Sequence, residues 1–173
     1  MSWAVSADFE TTTDPQDCRV WAWAVALIDD PEQVYYGNSI QSFMNWLSRG
    51  DVHTAWFHNL AFDGKFILDY LMRCGYTYAE TNPGRSQFST LISNKGKFYQ
   101  IEVCFGNGTR VIFQDSLKVF PMTVKRIAET FNLPEQKGDL DYRKYREPGH
   151  KITDEELYYI SHDVQIVARA SQQ

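Results

Sequence analysis

The chain has 173 residues, a formal net charge of −5 and 43% hydrophobic residues, enough for one domain with a full core. No apolar run approaches the roughly 20 residues of a membrane-spanning helix, and the N-terminus lacks the basic-then-apolar layout of a signal peptide. The negative balance excludes a protein that holds nucleic acid on a broad basic surface, though not a nuclease whose acids collect metal cations. Cys18, Cys74 and Cys104 are scattered and without C-x-x-C spacing, which fits a reduced, cytosolic setting with the thiols packed in the core.

In chain order, "SWAVSADF" predicts a strand over Trp3 to Phe9. "TTTDPQD" is a turn, and "DCRVWAWAVALID" returns as a long strand, Val20, Ala22, Ala24 and Ala26 alternating with Trp21, Trp23, Val25 and Leu27. Apolar residues on both faces mark it as central, and the two strands read as a hairpin. "NSIQSFMNWLSRG" is a helix with Ser39 as N-cap and Gly50 as its stop. "HTAWFHN" is a short strand that runs directly into a second helix, "AFDGKFILDYLMRCG". Three β-like runs follow, "QFSTLIS", "KFYQIEVCF" and "TRVIFQD", separated by "SNKG" and by the hairpin turn "GNG". "PMTVKRIAETFN" is helical after Pro121, with Val124, Ile127, Ala128 and Phe131 on one stripe. The segment from Leu133 to His150 has no period and reads as a loop. "ITDEELYYISHDVQIVARA" closes the chain as a helix with a Thr153/Glu156 capping box. This order predicts an α/β fold, a mixed central sheet flanked by helices.

Acids recur near element ends. Asp8 and Glu10 alternate with Phe9 on the first strand, so both side chains share one face. Like charges so close either face water or hold a metal. Asp63 sits at a strand-to-helix corner, four residues after Asn59. Tyr159 and Asp163 are one helical turn apart on the last helix, on a different stripe from Leu157, Ile160, Val164 and Val167, which would pack on the sheet while the pair projects to its edge. Singly, each has an ordinary reading: solvent-facing acids, a helix-dipole residue, a surface pair. Acid-x-acid, then N-x-x-F-D, then Y-x-x-x-D is a more specific combination.

That combination resembles the proofreading 3′–5′ exonuclease domain of the DEDD superfamily, in the tyrosine subclass typical of family B DNA polymerases. The histidine subclass carries its histidine five residues before the last acid; here that position is Tyr158, and His162 stands immediately before Asp163. "DFETTT", "DCRVWA", "FHNLAFDGKFI", "DSLK", "KGDLDY" and "KITDEE" are similar to segments of the protein-primed DNA polymerases of small podophages, and the likeness covers essentially the whole chain.

The resemblance implies a ribonuclease H-like fold and hydrolysis of single-stranded DNA from its 3′ end, releasing nucleoside monophosphates with two divalent ions, Mg²⁺ or Mn²⁺. It implies that Asp8 bridges both ions, that Glu10 and Asp163 hold the one that activates water, and that Asp63 supports the second. Tyr159 orients the attacking water, and Lys137 meets the scissile phosphate. Thr11, Asn59, Phe62, Phe66, Ser116, Leu117 and Tyr142 are the implied single-strand contacts, with His58 joining them. Phe62 and Phe66, four apart on a helix, have core packing as an equal alternative, and Arg143, Lys144 and Tyr145 read as a solvated basic face. The motifs that bind incoming nucleotide in that group are absent, so residues 1–173 are expected to be one exonuclease domain of a larger polymerase. The implied partners are then a single-stranded 3′ end, the polymerase domain and a terminal priming protein, without a membrane, in the cytoplasm of an infected bacterium. A free-standing nuclease on RNA or DNA, or a module that only binds nucleic acid, is the other reading.

Overall fold

The expected hairpin forms. In the computed structural model, which describes residues 2–92, 98–135 and 139–172, with backbone alone at 98 and 99, β1 (Trp3–Thr11) pairs antiparallel with β2 (Val20–Leu27). β3 (Val34–Gly37) continues beyond β2, and β4 (Val52–Phe57) joins β1 in parallel on its other side. β5 (Thr77–Tyr78), β6 (Gln87–Ile92), β7 (Phe98–Cys104) and β8 (Arg110–Asp115) complete an eight-stranded mixed sheet in the order β3-β2-β1-β4-β8-β7-β6-β5. The "GNG" turn joins β7 to β8 as expected, with Gly108 at φ +91, a conformation that favours glycine. The expected "SNKG" turn lies outside the described residues.

Helices cover both faces. α1 (Ile40–Leu47) and α2 (Leu60–Arg73) bury Phe43, Met44, Leu47, Leu60, Ile67 and Leu71 against Val5, Ala7 and Phe9 of β1. Side chains of this size each contribute about 1.5–3 kcal/mol when removed from water. Ser39 caps α1, accepting from the Ser42 amide at 3.1 Å. α4 (Asp154–Ser171) lies on the opposite face, where Ala22, Ala24 and Ala26 offer only methyl groups and so let the helix come close to β2. α3 (Val124–Thr130) packs on the outside of α4 through Ile127, Ala128, Ile166, Val167 and Ala170.

Several expectations shift. α3 begins at Val124 rather than directly after Pro121, because the Thr123 side chain accepts from the Arg126 amide and caps it there. Val20 and Trp21 depart from the strict alternation: Glu10 pairs with Ala22 and Thr11 with Val20, so Trp21 is the extra residue of a β-bulge and turns to the α4 face. Cys104 is buried, but Cys18 and Cys74 are exposed and do not pack in the core. No helix among the described residues is long and apolar enough to cross a membrane.

Candidate active site

The pleat of β1 sends Val5, Ala7 and Phe9 into the α1–α2 core, so Ser6, Asp8 and Glu10 face the other way, toward α4. There Tyr159 and Asp163 occupy the inner face of α4, both buried. The expectation that this pair projects to a sheet edge gives way to a closer packing: the stripe carrying Ile160, Val164 and Val167 is buried too, because α4 is covered by β2 on one side and α3 on the other. One carboxylate oxygen each from Asp8, Glu10 and Asp163 lies within 4.8 Å of the others.

Asp63 enters from the first turn of α2, immediately after β4, and lines the same cleft. Burial pushes its carboxyl well above the usual carboxylate range, and the charges of Asp8 and Asp115 push it further. It stands beside the group of three acids rather than within it. The cleft has a volume of about 400 Å³, and Thr11, Thr13, His58, Asn59, Phe62, Val124 and Tyr142 complete much of its wall.

The β4–α2 corner is held by an acid that sequence reasoning passed over. Asp115, buried at the end of β8, accepts from the Asn59 amide at 3.0 Å and from the Leu117 amide at 2.9 Å. It thereby fixes Asn59 in the left-handed region at φ 84, where asparagine is one of the few side chains tolerated. An acid before "SLK" signals a cap; its bond to a corner 56 positions away does not show in the sequence.

The expected strand contacts divide. Thr11, His58, Asn59, Phe62 and Tyr142 line the cleft; Phe66, Ser116 and Leu117 do not. Phe66 is half-buried against the α2 core and meets Phe62 edge-to-face, ring centroids 5.7 Å apart. Ser116 is buried, its hydroxyl 3.0 Å from Nδ1 of His58. Nε2 of His58 donates to the Met122 carbonyl at 2.5 Å, so both ring nitrogens are engaged. Leu117, in the 3₁₀ turn after β8, is held through its amide. Lys137 lies outside the described residues.

The Tyr159 hydroxyl lies 2.7 Å from that of Tyr142. Burial, then the charge of Asp163, raises its pKa far above the ordinary tyrosine value, the Glu10 and Asp8 charges adding to this against the Tyr142 hydrogen bond. Tyr159 therefore stays protonated at any physiological pH.

A site of clustered carboxylates fits a hard divalent cation: its donors are all oxygen, and such a cation offsets their mutual repulsion.

This chain is 44% identical over 169 residues to the DNA polymerase of Bacillus phage phi29, covering 95% of this chain and 29% of that protein. It is 28% identical over 181 residues to the DNA polymerase of Streptococcus phage Cp-1, with the same coverage. The chain thus spans under a third of the relatives it matches. Among solved structures, phi29 DNA polymerase complexed with single-stranded DNA superposes with a TM-score of 0.90 at 40% identity, covering 96% of this chain and 30% of that one. The same polymerase complexed with primer-template DNA also gives 0.90. These matches bear out the resemblance to the protein-primed phage enzymes and the ribonuclease H-like fold. The family model described as DNA polymerase type B, organellar and viral, matches residues 47–148, more than half of the chain, and to that family the chain belongs.

Proposed function

We propose that this chain is the 3′–5′ exonuclease unit of a protein-primed DNA polymerase, removing nucleoside monophosphates from the unpaired 3′ end of DNA. The observation that carries this reading is the convergence of Asp8, Glu10 and Asp163 within 4.8 Å, in a cleft shared with Asp63. Asp8, Glu10 and Asp163 would hold divalent cations, with Asp63 supporting a second one. When bound, such ions supply a nucleophilic water at neutral pH and relieve the charge on the leaving 3′-oxygen.

The remaining work falls to the chain itself. A tyrosine's ordinary pKa of about 10 makes it a poor base at neutral pH, so the Tyr159 hydroxyl serves to orient the attacking water, with Tyr142 fixing that hydroxyl in turn. Phe62 is 47% exposed on the cleft wall, which suits it as a stacking platform for a base. Thr11 and Asn59 provide polar contacts beside it. Phe66 backs the Phe62 ring, and Ser116 fixes the His58 ring, so these two act one step behind the strand, with Leu117 in the same turn as Ser116. Lys137 is assigned to the scissile phosphate by the resemblance alone. DNA as substrate is supported by the relative solved with single-stranded DNA.

The test is degradation of a 5′-labelled single-stranded DNA with Mg²⁺ or Mn²⁺, against an Asp8→Ala, Glu10→Ala variant. The expected result is a ladder shortening from the 3′ end, abolished by chelation and in the variant. Cleavage that survives in the variant, or DNA left intact while RNA is cut, would overturn the reading.

A further inference from the structure

The segment from 139 to 153, between α3 and α4, has little apolar anchorage. Leu140 and Ile152, near its two ends, are half-buried against the α4 face, while Tyr142 and Tyr145 between them are 45% and 62% exposed. Hydrogen bonds centred on one buried arginine hold it instead. Nε of Arg146 donates to Glu156 Oε2 at 2.7 Å, and its Nη1 donates to the carbonyls of Asp141 at 2.6 Å and Lys144 at 3.2 Å. The guanidinium lies 4.2 Å from the ring centroid of Trp21, the residue that the β2 bulge turns to this face. Glu156 answers from the first turn of α4, where Oε1 accepts from His150 at 2.8 Å and from the Thr153 amide at 2.9 Å. Arg19 donates to the Arg146 carbonyl from outside, and Arg19 and Tyr145 share the Asp17 carboxylate.

The two carbonyls Arg146 holds flank Tyr142, one residue before it and two after. Tyr142 in turn reaches the Tyr159 hydroxyl. A buried ion pair adds little stability that a well-packed apolar pair could not supply. What an apolar pair cannot do is grip two loop carbonyls with a rigid fork. We propose that Arg146 is a positioning residue for the exonuclease: locked by Glu156 and Trp21, it clamps this segment so that Tyr142 holds the Tyr159 hydroxyl at the cleft. The proposal rests on the nuclease reading above for its kinetic consequence, and on the hydrogen bonds for its structural one.

Removing one partner of the pair would strand a buried charge, so the test removes both. In an Arg146→Met, Glu156→Gln chain the single-turnover cleavage rate at saturating DNA falls about tenfold, while circular dichroism keeps the native spectrum. In a Tyr142→Phe background the same change has less than about a twofold effect, because both routes disable one contact. Arg146→Lys, which keeps the charge but not the fork, shows the same dependence on Tyr142 and serves where the double variant does not fold. Hydrogen exchange over 139–150, faster in either variant, reads the clamp whether or not the chain cleaves DNA. Wild-type cleavage in the variants, losses that multiply with that of Tyr142→Phe, or unchanged exchange would each overturn the proposal. Faster exchange in the variants together with a wild-type chain that cuts no DNA would instead sink the nuclease reading.

Discussion

Glu156 and Asp163 stand two turns apart on one helix, both buried, in opposite electrostatic settings. Burial alone would raise Glu156, but the Thr153 amide, His150 and Arg146 overcome it and bring its pKa down to about 2. Asp163 instead meets Asp8 and Glu10, and nearby Asp63 is driven upward by burial and by its acidic neighbours. The difference separates two uses of a buried carboxylate. Where the protein supplies the cation and the amides, the acid ties elements together. Where it assembles acid beside acid, the like charges oppose one another, and an all-oxygen donor set suits a hard cation.

Substitutions at the two places should therefore differ in kind. Asp8→Asn is expected to lower cleavage by on the order of 10³-fold or more. In metal-free buffer its Tm should hold or rise, because one of several crowded charges is gone. A Tm several degrees below wild type would break the comparison by making Asp8 a structural acid. Glu156→Ala should do the reverse in urea unfolding, costing about 3–5 kcal/mol, since it leaves the Arg146 guanidinium buried without its carboxylate.

How much of this the sequence discloses depends on how local the cause is. The Ser39 cap and the Thr153/Glu156 capping box are written within four residues, and both form as expected. The shared face of Asp8 and Glu10 follows from strand periodicity alone. β3 and β5, by contrast, are four and two residues long, and only pairing with β2 and β6 makes them strands. The site divides in the same way. The acids are legible from spacing and family likeness, whereas Asp115 acts through a bond to Asn59, 56 positions away, and Arg146 through loop carbonyls and a Trp21 ring contact in a segment without periodicity. Strict alternation groups Trp21 with Trp23, and the bulge that turns it to the other face has no signature in that pattern.

The acidic cluster predicts a stability that depends on divalent ions. Mg²⁺ or Mn²⁺ at about a hundred times its dissociation constant should stabilise the chain by about 2.7 kcal/mol, and a chelator should reverse it. Differential scanning fluorimetry of wild type against Asp8→Ala, Glu10→Ala measures this without reference to catalysis. An equal shift in both chains would place the ion elsewhere.

The smallest effect is the pH dependence of the Glu156 clamp. Its pKa falls from an ordinary 4.5 to about 2 on folding, so the unfolded chain takes up the proton first as pH drops. The stability this carboxylate contributes is complete above about pH 4.5, declines as pH falls, and is gone below about pH 2. Other carboxylates titrate over the same range, but they are common to wild type and Glu156→Gln and largely cancel in the difference. The gap between the two chains in urea unfolding should thus close steadily as pH falls below about 5. A gap that stayed constant down to pH 3 would mean that Glu156 acts through shape and neutral hydrogen bonds, and the contrast with the Asp8 cluster would then be one of packing rather than charge.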